Sequence, residues 1–383
     1  GMSSHSMLGA YGSWAAALSG EGPSFLSFRH THWIEPAAWR PAARQRFRER
    51  VAMPETEGAE DCRIERRYEY DGLQVEELSW QLPYGPRTEA VLLKPAGASG
   101  RLPGVLALHD HGGHKFHGWQ KITRTDSEQN AVNVDHQARA YGGAPWANRL
   151  AKRGYAVLVP DAFAFGSRRV RIADLPPAIR DGMEEQESED PEYIAAYNQW
   201  AGGHESTLAK SLLSAGTTWA GVWLAEDVHA LGVLCGRDDV DAERVGIGGL
   251  SGGGLRTVYL GGLDDRVRCA VCVGMMTTWR DFLLNKSHTH TWMIYVPHLP
   301  TEMDYPDILG MRAPLPTMVQ NNTEDPLFTL AEMRRADVML RQVYEKAEAG
   351  DRYSCSFYGG EHKFDIAMQE DAFDWFDRWL AES

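Results

Sequence analysis

The chain has 383 residues, of which 43% are hydrophobic and 24% charged, a globular composition that excludes disordered, collagen-like and coiled-coil proteins. Its 53 acidic residues outnumber 39 lysines and arginines, and the net charge of −14 argues against nucleic acid as a partner. No stretch approaches the ~18 apolar residues that span a bilayer, the start lacks a signal-peptide pattern, and five cysteines form no dense framework. We therefore expect a cytoplasmic protein without a membrane partner.

The first sixty residues are rich in arginine and aromatic side chains. Trp39, Arg40 and Arg44 belong to this segment, and Pro41 could open a short helix within it. Such a basic stretch could form a docking surface, and an exposed aromatic arm could serve self-association as a homo-oligomer. We favour a solvated helix that pairs with acidic surface elsewhere in the chain. The sequence thus predicts a helical N-terminal extension, residues 1–60, and a main domain, residues 61–383.

Apolar and polar residues alternate along the next part of the chain, which predicts β-strands. The turn signals Asp71-Gly72 and Tyr84-Gly85-Pro86 separate these runs. We predict an antiparallel meander over residues 63–70, 73–81, 89–94 and 105–109.

Beyond this meander, short apolar runs alternate with segments of helical periodicity. The strands are predicted at 155–160, 244–248, 267–273, 316–320 and 353–358, with helices over 224–235, 333–343 and 372–380. This alternation predicts an α/β fold whose mostly parallel sheet carries helices on both faces. An acidic stretch, 181–192, lies in a predicted lid-like insertion over about 167–215.

A G-x-S-x-G pentapeptide lies between a predicted strand and a predicted helix. It consists of Gly249, Leu250, Ser251, Gly252 and Gly253. A serine on such a turn needs a strained backbone, and glycines two residues away allow neighbouring chain to approach. The turn also places the serine at a helix N-terminus, which favours developing negative charge. A phosphate cradle or a plain tight turn are the alternatives to a catalytic Ser251.

An acid and a histidine follow the carboxyl ends of later strands. Asp325 comes after the strand at 316–320, and His362 comes after the strand at 353–358. A serine hydroxyl needs an imidazole to take its proton, and the imidazole needs a carboxylate to fix its tautomer. Ser251, Asp325 and His362 are therefore candidate catalytic residues, with Glu324 as the rival for the acid.

A second polar cluster follows the strand at 105–109. It could form an oxyanion loop, in which a backbone N–H from this strand end and that of Gly252 bind the charged oxygen of a tetrahedral intermediate. Alternatively, His109, His111 and His114 have an H-x-H-x-x-H spacing that could bind zinc. The metal-ligand pattern normally has an aspartate where Gly113 stands, so we favour the oxyanion loop.

The segment after the strand at 267–273 contains candidates for a substrate pocket. They are Met275, Trp279, His288 and Trp292, which could line the pocket or simply pack an insertion.

From about residue 87 to its end, the chain resembles the α/β-hydrolase superfamily, in particular its dienelactone hydrolase and acetyl xylan esterase-like branch. The resemblance implies Ser251 as nucleophile, His362 as base and Asp325 as its orienting acid, with no cofactor. It also implies an oxyanion hole from the N–H of Gly252 and that of His111 or Gly112. Dienelactone hydrolases use a cysteine where this chain has Ser251. The motifs that carry the resemblance are His109 to Gly113, Asp161 with Gly166, Asp241 to Gly246, Gly249 to Gly253, Asp325 and His362.

The function implied is hydrolysis of a small carboxylic ester through an acyl-enzyme. A metal-dependent hydrolase using His109, His111 and His114, and a non-catalytic binding protein on the same fold, are the alternatives.

Overall fold

The computed structural model describes residues 5–57 and 61–381. Within these ranges nine strands form one mixed sheet. They are β1 (Arg63–Tyr70), β2 (Leu73–Trp80), β3 (Thr88–Pro95), β4 (Leu102–Leu108), β5 (Ala156–Pro160), β6 (Val240–Leu250), β7 (Cys269–Val273), β8 (Thr317–Asn322) and β9 (Tyr353–Tyr358). Their order across the sheet is β1-β2-β3-β5-β4-β6-β7-β8-β9. β1, β2, β3 and β5 pair antiparallel, and every pair from β5 to β9 is parallel.

The predicted meander is right for its first three strands and wrong for the fourth. β4 lies between β5 and β6 and runs parallel to both, with Leu106 opposite Leu158 and Ile247. The strand is buried on both faces: Val105 packs in one core layer and Leu106 in the other. An apolar run buried on both sides does not reveal which strands lie beside it, so its place in the sheet could not be predicted from its own residues.

Helices cover both faces of the sheet. The helices are α1 (Gly12–Ala17), α2 (Pro36–Val51), α3 (Ala131–Ala140), α4 (Trp146–Lys152), α5 (Pro191–Ala215), α6 (Trp219–Cys235), α7 (Gly252–Leu263), α8 (Trp279–Asp281), α9 (Tyr305–Gly310), α10 (Leu330–Lys346) and α11 (Ile366–Leu380). One core layer receives Trp223 of α6, Leu255 of α7 and Met333 of α10, and the other receives Trp146 of α4 and Phe373 of α11. Across the described ranges, none of these helices is both long and apolar enough to cross a membrane.

The N-terminal extension packs into the main core through α2. This helix begins at Pro36, so the expectation that Pro41 opens it is wrong, and Pro41 lies inside the helix. A backbone N–H at the first helical position has no acceptor inside the helix, so proline at this position loses no helical hydrogen bond. Pro41 lies in the helix interior and removes one backbone hydrogen bond. Trp39 and Phe47 are fully buried in the core layer shared with the sheet. Burial of this face explains why the helix continues through the second proline.

The basic face of α2 does pair with acidic residues, as the sequence predicts. Arg44 donates to Asp265 at 2.8 Å, and Arg50 donates to Glu302 at 2.5 Å. The extension is nevertheless not a freely solvated helix, since its other face is part of the core. The predicted boundary at residue 60 falls in 58–60, outside the described residues.

The predicted insertion consists of short 3-10 turns followed by the 25-residue helix α5. The Asp190 side chain caps the start of α5 by accepting the Glu192 N–H. Tyr197 and Trp200 of α5 form a separate small core with Phe116, which lies in the segment that follows β4. The insertion therefore lies directly against the predicted oxyanion loop.

Candidate active site

Ser251 occupies a sharp turn between β6 and α7. Its backbone has φ 58° and ψ −113°, a conformation rare and strained for a residue with a side chain. The Ser251 N–H donates to the Val273 carbonyl at 2.8 Å, which holds the turn against β7. A Cβ at Gly249 or Gly253 would overlap the Leu108 carbonyl oxygen of β4. Both outer positions of the pentapeptide are therefore glycine because β4 passes directly beside the turn.

His362 lies in the connection between β9 and α11, and Asp325 lies in the turn after β8. The His362 Nδ1 and the Asp325 Oδ2 are 2.6 Å apart, and the Asp325 side chain is only 1% exposed. The other carboxylate oxygen of Asp325 accepts the Leu327 N–H at 3.0 Å. The rival Glu324 is exposed and accepts the Gly360 N–H instead. The geometry thus pairs His362 with Asp325.

The turn that carries Asp325 starts later than predicted. β8 continues to Asn322, two residues beyond the predicted end at 320, and both asparagines at its end are buried. The Asn322 amide donates to the Lys363 carbonyl at 3.0 Å, next to His362 in the chain. This contact ties the acid turn to the histidine loop.

Ser251 and His362 line one cavity of about 220 Å³. Because Asp325 takes Nδ1 of His362, Nε2 is the ring nitrogen left for the serine hydroxyl. In the described ranges no hydrogen bond joins Ser251 to His362, and such contacts often tighten only when substrate binds. Residues that also line this cavity are His111, Gly112, Gly113, Trp223, Gly252, Leu255, Met275, Thr289, His290, Thr291, Met293, Ile294 and Leu327.

Backbone N–H groups from two elements converge on this cavity. Gly252 is the first residue of α7, so its N–H has no acceptor inside the helix. A Cβ at Gly252 would lie 2.9 Å from the backbone nitrogen of His111, which shows how closely the two segments approach. Among described residues, no protein acceptor takes the N–H of His111 or of Gly112. These free donors could bind an oxyanion beside Ser251, where the α7 dipole also favours negative charge.

The three histidines of the alternative metal hypothesis do not converge. All six of their ring nitrogens are hydrogen-bonded to protein groups, and within 5–57 and 61–381 no set of three histidine, cysteine or acidic side chains is arranged to hold an ion. His109 bonds the Asp110 carbonyl and the Ala162 N–H, His111 bonds Gly113 N–H and Glu205, and His114 bonds Asn133 and Asn198. The arrangement therefore favours the oxyanion-loop interpretation over the metal-site interpretation.

Burial keeps these rings neutral. Desolvation lowers the pKa of His114 to about 2 and lowers the pKa of His111 as well. A neutral His111 can accept the Gly113 N–H at Nδ1 while it donates from Nε2 to Glu205. Its protonation state thus fits the loop conformation.

The predicted pocket residues fall in different places. Met275 lines the cavity that contains Ser251, whereas Trp279 and Trp292 line a second, larger cavity of about 640 Å³ beside the N-terminal extension. His288 is exposed and lines neither cavity. His290, two residues later, lines the catalytic cavity, and burial lowers its pKa to about 4. Short 3-10 turns in this segment change the direction of the chain every few residues, which no periodic pattern could reveal.

Sequence reasoning missed a buried lysine that holds the loop after β4. Lys121 Nζ donates to the carbonyls of Asp110, His111 and His114, the last two at 3.1 and 2.8 Å. The side chain is completely buried. A lone lysine carries no spacing signal, so only the fold could reveal its position.

Sequence comparison relates the chain to a protein named as a hydrolase. No protein-family model matches the chain. The chain is 26% identical over 325 residues to the protein named "Putative hydrolase YtaP" of Bacillus subtilis (strain 168), an alignment covering 84% of this chain and 92% of that protein.

Similar solved structures include several proteins named as esterases. A "putative acetyl xylan esterase" of Bacteroides fragilis NCTC 9343 superposes with a TM-score of 0.65 at 16% identity, covering 92% of this chain and 83% of that one. The methylesterase BT1017 gives 0.60 at 16% identity over 99% and 71% of the two chains. A glucuronoyl esterase from Solibacter usitatus gives 0.59 at 15% identity over 88% and 91%. The chain therefore shares the fold of these esterases, and its mostly parallel sheet with helices on both faces is the architecture that the sequence predicts.

Proposed function

We propose that the chain is a serine-dependent carboxylic-ester hydrolase that acts through an acyl-enzyme. The observation that carries this proposal is the shared cavity: Ser251 on a strained turn faces the same space as His362, whose Nδ1 is held by the buried Asp325. The hydrolase and esterase names of proteins with similar sequence or fold are consistent with it.

In the acylation step, the Ser251 oxygen attacks the ester carbonyl while Nε2 of His362 takes the hydroxyl proton. Asp325 holds the imidazole in the required tautomer and stabilises the imidazolium. The N–H groups of Gly252 and of His111 or Gly112 bind the oxyanion of the tetrahedral intermediate. His362 then donates its proton to the leaving alcohol, and the acyl group stays on Ser251.

In the deacylation step, His362 removes a proton from water, and the resulting nucleophile attacks the acyl carbonyl. The second tetrahedral intermediate collapses, Ser251 recovers its proton from His362, and the carboxylic acid leaves. Every proton in this cycle passes through the imidazole.

The size of the catalytic cavity bounds the substrate. About 220 Å³ is below the ~300–1,000 Å³ typical of sites for drug-sized ligands. We therefore expect a small group on the side of the ester that enters this cavity. Acetyl and methyl esters, to which the names of two similar structures refer, satisfy this limit.

The test is hydrolysis of 4-nitrophenyl esters of increasing acyl length by wild type and by Ser251→Ala, each with and without EDTA. Ser251→Ala should lower kcat by roughly 10⁴-fold or more, because a triad without its nucleophile retains little catalysis. EDTA should leave wild-type turnover unchanged. Ser214→Ala, at an exposed serine on α5, is the matched control and should keep full activity.

Two results would contradict the proposal. An active Ser251→Ala would show that another group attacks the ester. Wild-type turnover lost in EDTA and restored by zinc would favour metal-dependent hydrolysis instead.

A further inference from the structure

We infer that helix α5 of the insertion positions the oxyanion loop, residues 109–117, through Glu205 and Asn198, so that the oxyanion hole is organised only while α5 is docked. This inference rests on the proposed function, which gives the loop its chemical role. Asn198, Ala201 and Glu205 are three and four residues apart, so they share one face of the helix. All three contact the loop.

Glu205 binds the loop at two points. One carboxylate oxygen accepts the His111 Nε2–H at 2.8 Å and lies 2.7 Å from Lys115 Nζ. Lys115 Nζ also donates to the Ala201 carbonyl at 3.2 Å. Burial opposes the charge on Glu205, but the contacts with His111 and Lys115 prevail and lower its pKa. Glu205 is therefore an ionised, almost buried carboxylate whose partners both lie in the loop.

Asn198 binds the next part of the same loop. Its side-chain oxygen accepts the N–H groups of Lys115 and Phe116, both at 2.9 Å. Its amide nitrogen donates to Nδ1 of His114 at 2.9 Å. One side chain thus satisfies three loop groups, and each would lose a hydrogen-bond partner if α5 moved away.

The contact at His111 connects α5 to the reaction. The His111 ring is fixed by Glu205, and the backbone N–H of the same residue is a candidate oxyanion donor. A single oxyanion donor is worth about 10²- to 10³-fold in kcat, and its effect depends on placement within a fraction of an ångström. Glu205 touches no reacting atom, so it is a positioning residue and its loss should cost less than loss of the donor itself.

The sequence of α5 makes the helix easy to distort at this contact. Gly202 and Gly203 lie between Ala201 and Glu205, both exposed and with no atom near the position of a Cβ. Glycine in a helix interior destabilises the helix relative to alanine. The turn of α5 that binds the oxyanion loop therefore has low intrinsic helix propensity, and its docked conformation depends on the contacts with the loop.

The experiment compares Glu205→Gln, Glu205→Leu and the control Glu192→Gln. Glu192 is exposed on the first turn of the same helix, and among the described residues no hydrogen bond or ion pair joins it to the loop, so its substitution repeats the chemical change without the contact. We expect Glu205→Leu to lower kcat by about tenfold or more, but by less than the 10²- to 10³-fold that follows when an oxyanion donor is removed. KM should change less than threefold. Glu205→Gln keeps an acceptor for His111 and should recover much of this loss.

A boronic acid inhibitor adds a readout that a merely structural role would not change. It forms a tetrahedral adduct with the serine, so its Ki should rise by the same factor as kcat/KM falls. Binding of the product alcohol, which carries no oxyanion, should stay constant. Equal kcat and equal boronate Ki in wild type and Glu205→Leu would overturn the inference.

Amide hydrogen exchange separates this inference from the proposed function. Exchange at residues 111–116 should accelerate in both Glu205 variants and stay at the wild-type rate in Glu192→Gln, whether or not the protein cleaves esters. Unchanged exchange in these amides would overturn the positioning role even in an active esterase. If the wild type cleaves no ester and exchange is still faster in the Glu205 variants than in the wild type, the contact is supported and only the proposed chemistry is contradicted.

Discussion

The two sides of the catalytic cavity are built differently. On the triad side, Ser251 directly follows β6, and Asp325 and His362 stand in short turns after β8 and β9. On the oxyanion side, loop 109–117 has no regular structure and is held by the buried side chains of Lys121 and Glu205. The backbone of a parallel sheet is enough to bring the triad together at one edge. The oxyanion side depends on polar contacts between residues far apart in the chain.

After Ser251→Ala, substitution of Asp325 should have the largest effect, because Asp325 is the carboxylate that holds Nδ1 of His362. Asp325→Asn replaces the acceptor at 2.6 Å from His362 Nδ1 with an amide that can stabilise the wrong tautomer. We expect kcat to fall by about 10⁴-fold with little change in the far-UV circular dichroism. Stopped-flow or steady-state hydrolysis of 4-nitrophenyl acetate measures the loss.

Glu324→Gln is the matched control, since Glu324 precedes Asp325 and is exposed. Its turnover should stay within a factor of two of wild type. A large loss in Glu324→Gln together with an active Asp325→Asn would reassign the acid and contradict the geometry of the turn.

The difference between the triad side and the oxyanion side also explains which parts of the site the sequence could predict. Ser251 and His362 follow apolar runs that end in glycine-containing turns, so local pattern alone makes them candidates. The spacing of His109, His111 and His114 was equally visible, but it does not reveal that Asn133 and Asn198 take up their ring nitrogens. Such partners come from distant helices.

Two other predictions failed for reasons that local patterns do not reveal. The place of β4 in the sheet depends on β5, which comes almost fifty residues later. The pocket residue His290 was missed in favour of His288 because that segment consists of single turns without a period. A contact with a distant strand determines the first, and irregular local turns determine the second.

Two adjacent glycines allow a sharper test of the oxyanion side. Gly112 and Gly113 both have positive φ, 57° and 65°. A Cβ at Gly112 would overlap Asp110 and His136, whose side chains share a buried hydrogen bond of 2.9 Å, whereas a Cβ at Gly113 would meet no atom within 4 Å. Both Gly112→Ala and Gly113→Ala should lose ~1–2 kcal/mol of the free energy of unfolding to left-handed backbone strain. Gly112→Ala should lose about 1–3 kcal/mol more, because its Cβ overpacks the site.

We expect Gly112→Ala also to lower kcat, because the loop must shift to relieve the overlap. The loss should be about tenfold or more and approach the ~10²-fold loss that follows removal of one oxyanion donor. Gly113→Ala should keep most of its activity. Chemical denaturation and ester hydrolysis on both variants measure the two effects. Equal kcat in the pair would mean that the loop does not need its observed conformation for catalysis.

The smallest expected effect is a pH dependence that comes from Lys121. Burial lowers the pKa of Lys121 to about 8; the nearby Asp110 and Asp161 oppose this shift, whereas Arg256 and Lys115 add to it. The ammonium group has three N–H donors for three loop carbonyls, and the neutral amine has only two. As pH rises through about 8, one carbonyl loses its donor, so kcat/KM should fall by less than the ~10²-fold cost of a lost oxyanion donor.

Stability should respond in the opposite direction, which distinguishes this effect from alkaline unfolding. Between about pH 8 and 10.5, folded Lys121 has released a proton that the unfolded chain still binds. The unfolded state then binds more protons, so the contribution of this group to the free energy of unfolding rises with pH. Lys121→Met removes the titrating group: its activity should be lower than that of wild type but flat from pH 7 to 9.5, and its Tm relative to wild type should decline over that range. If Lys121→Met loses activity above pH 8 as steeply as wild type, the decline originates outside the oxyanion side.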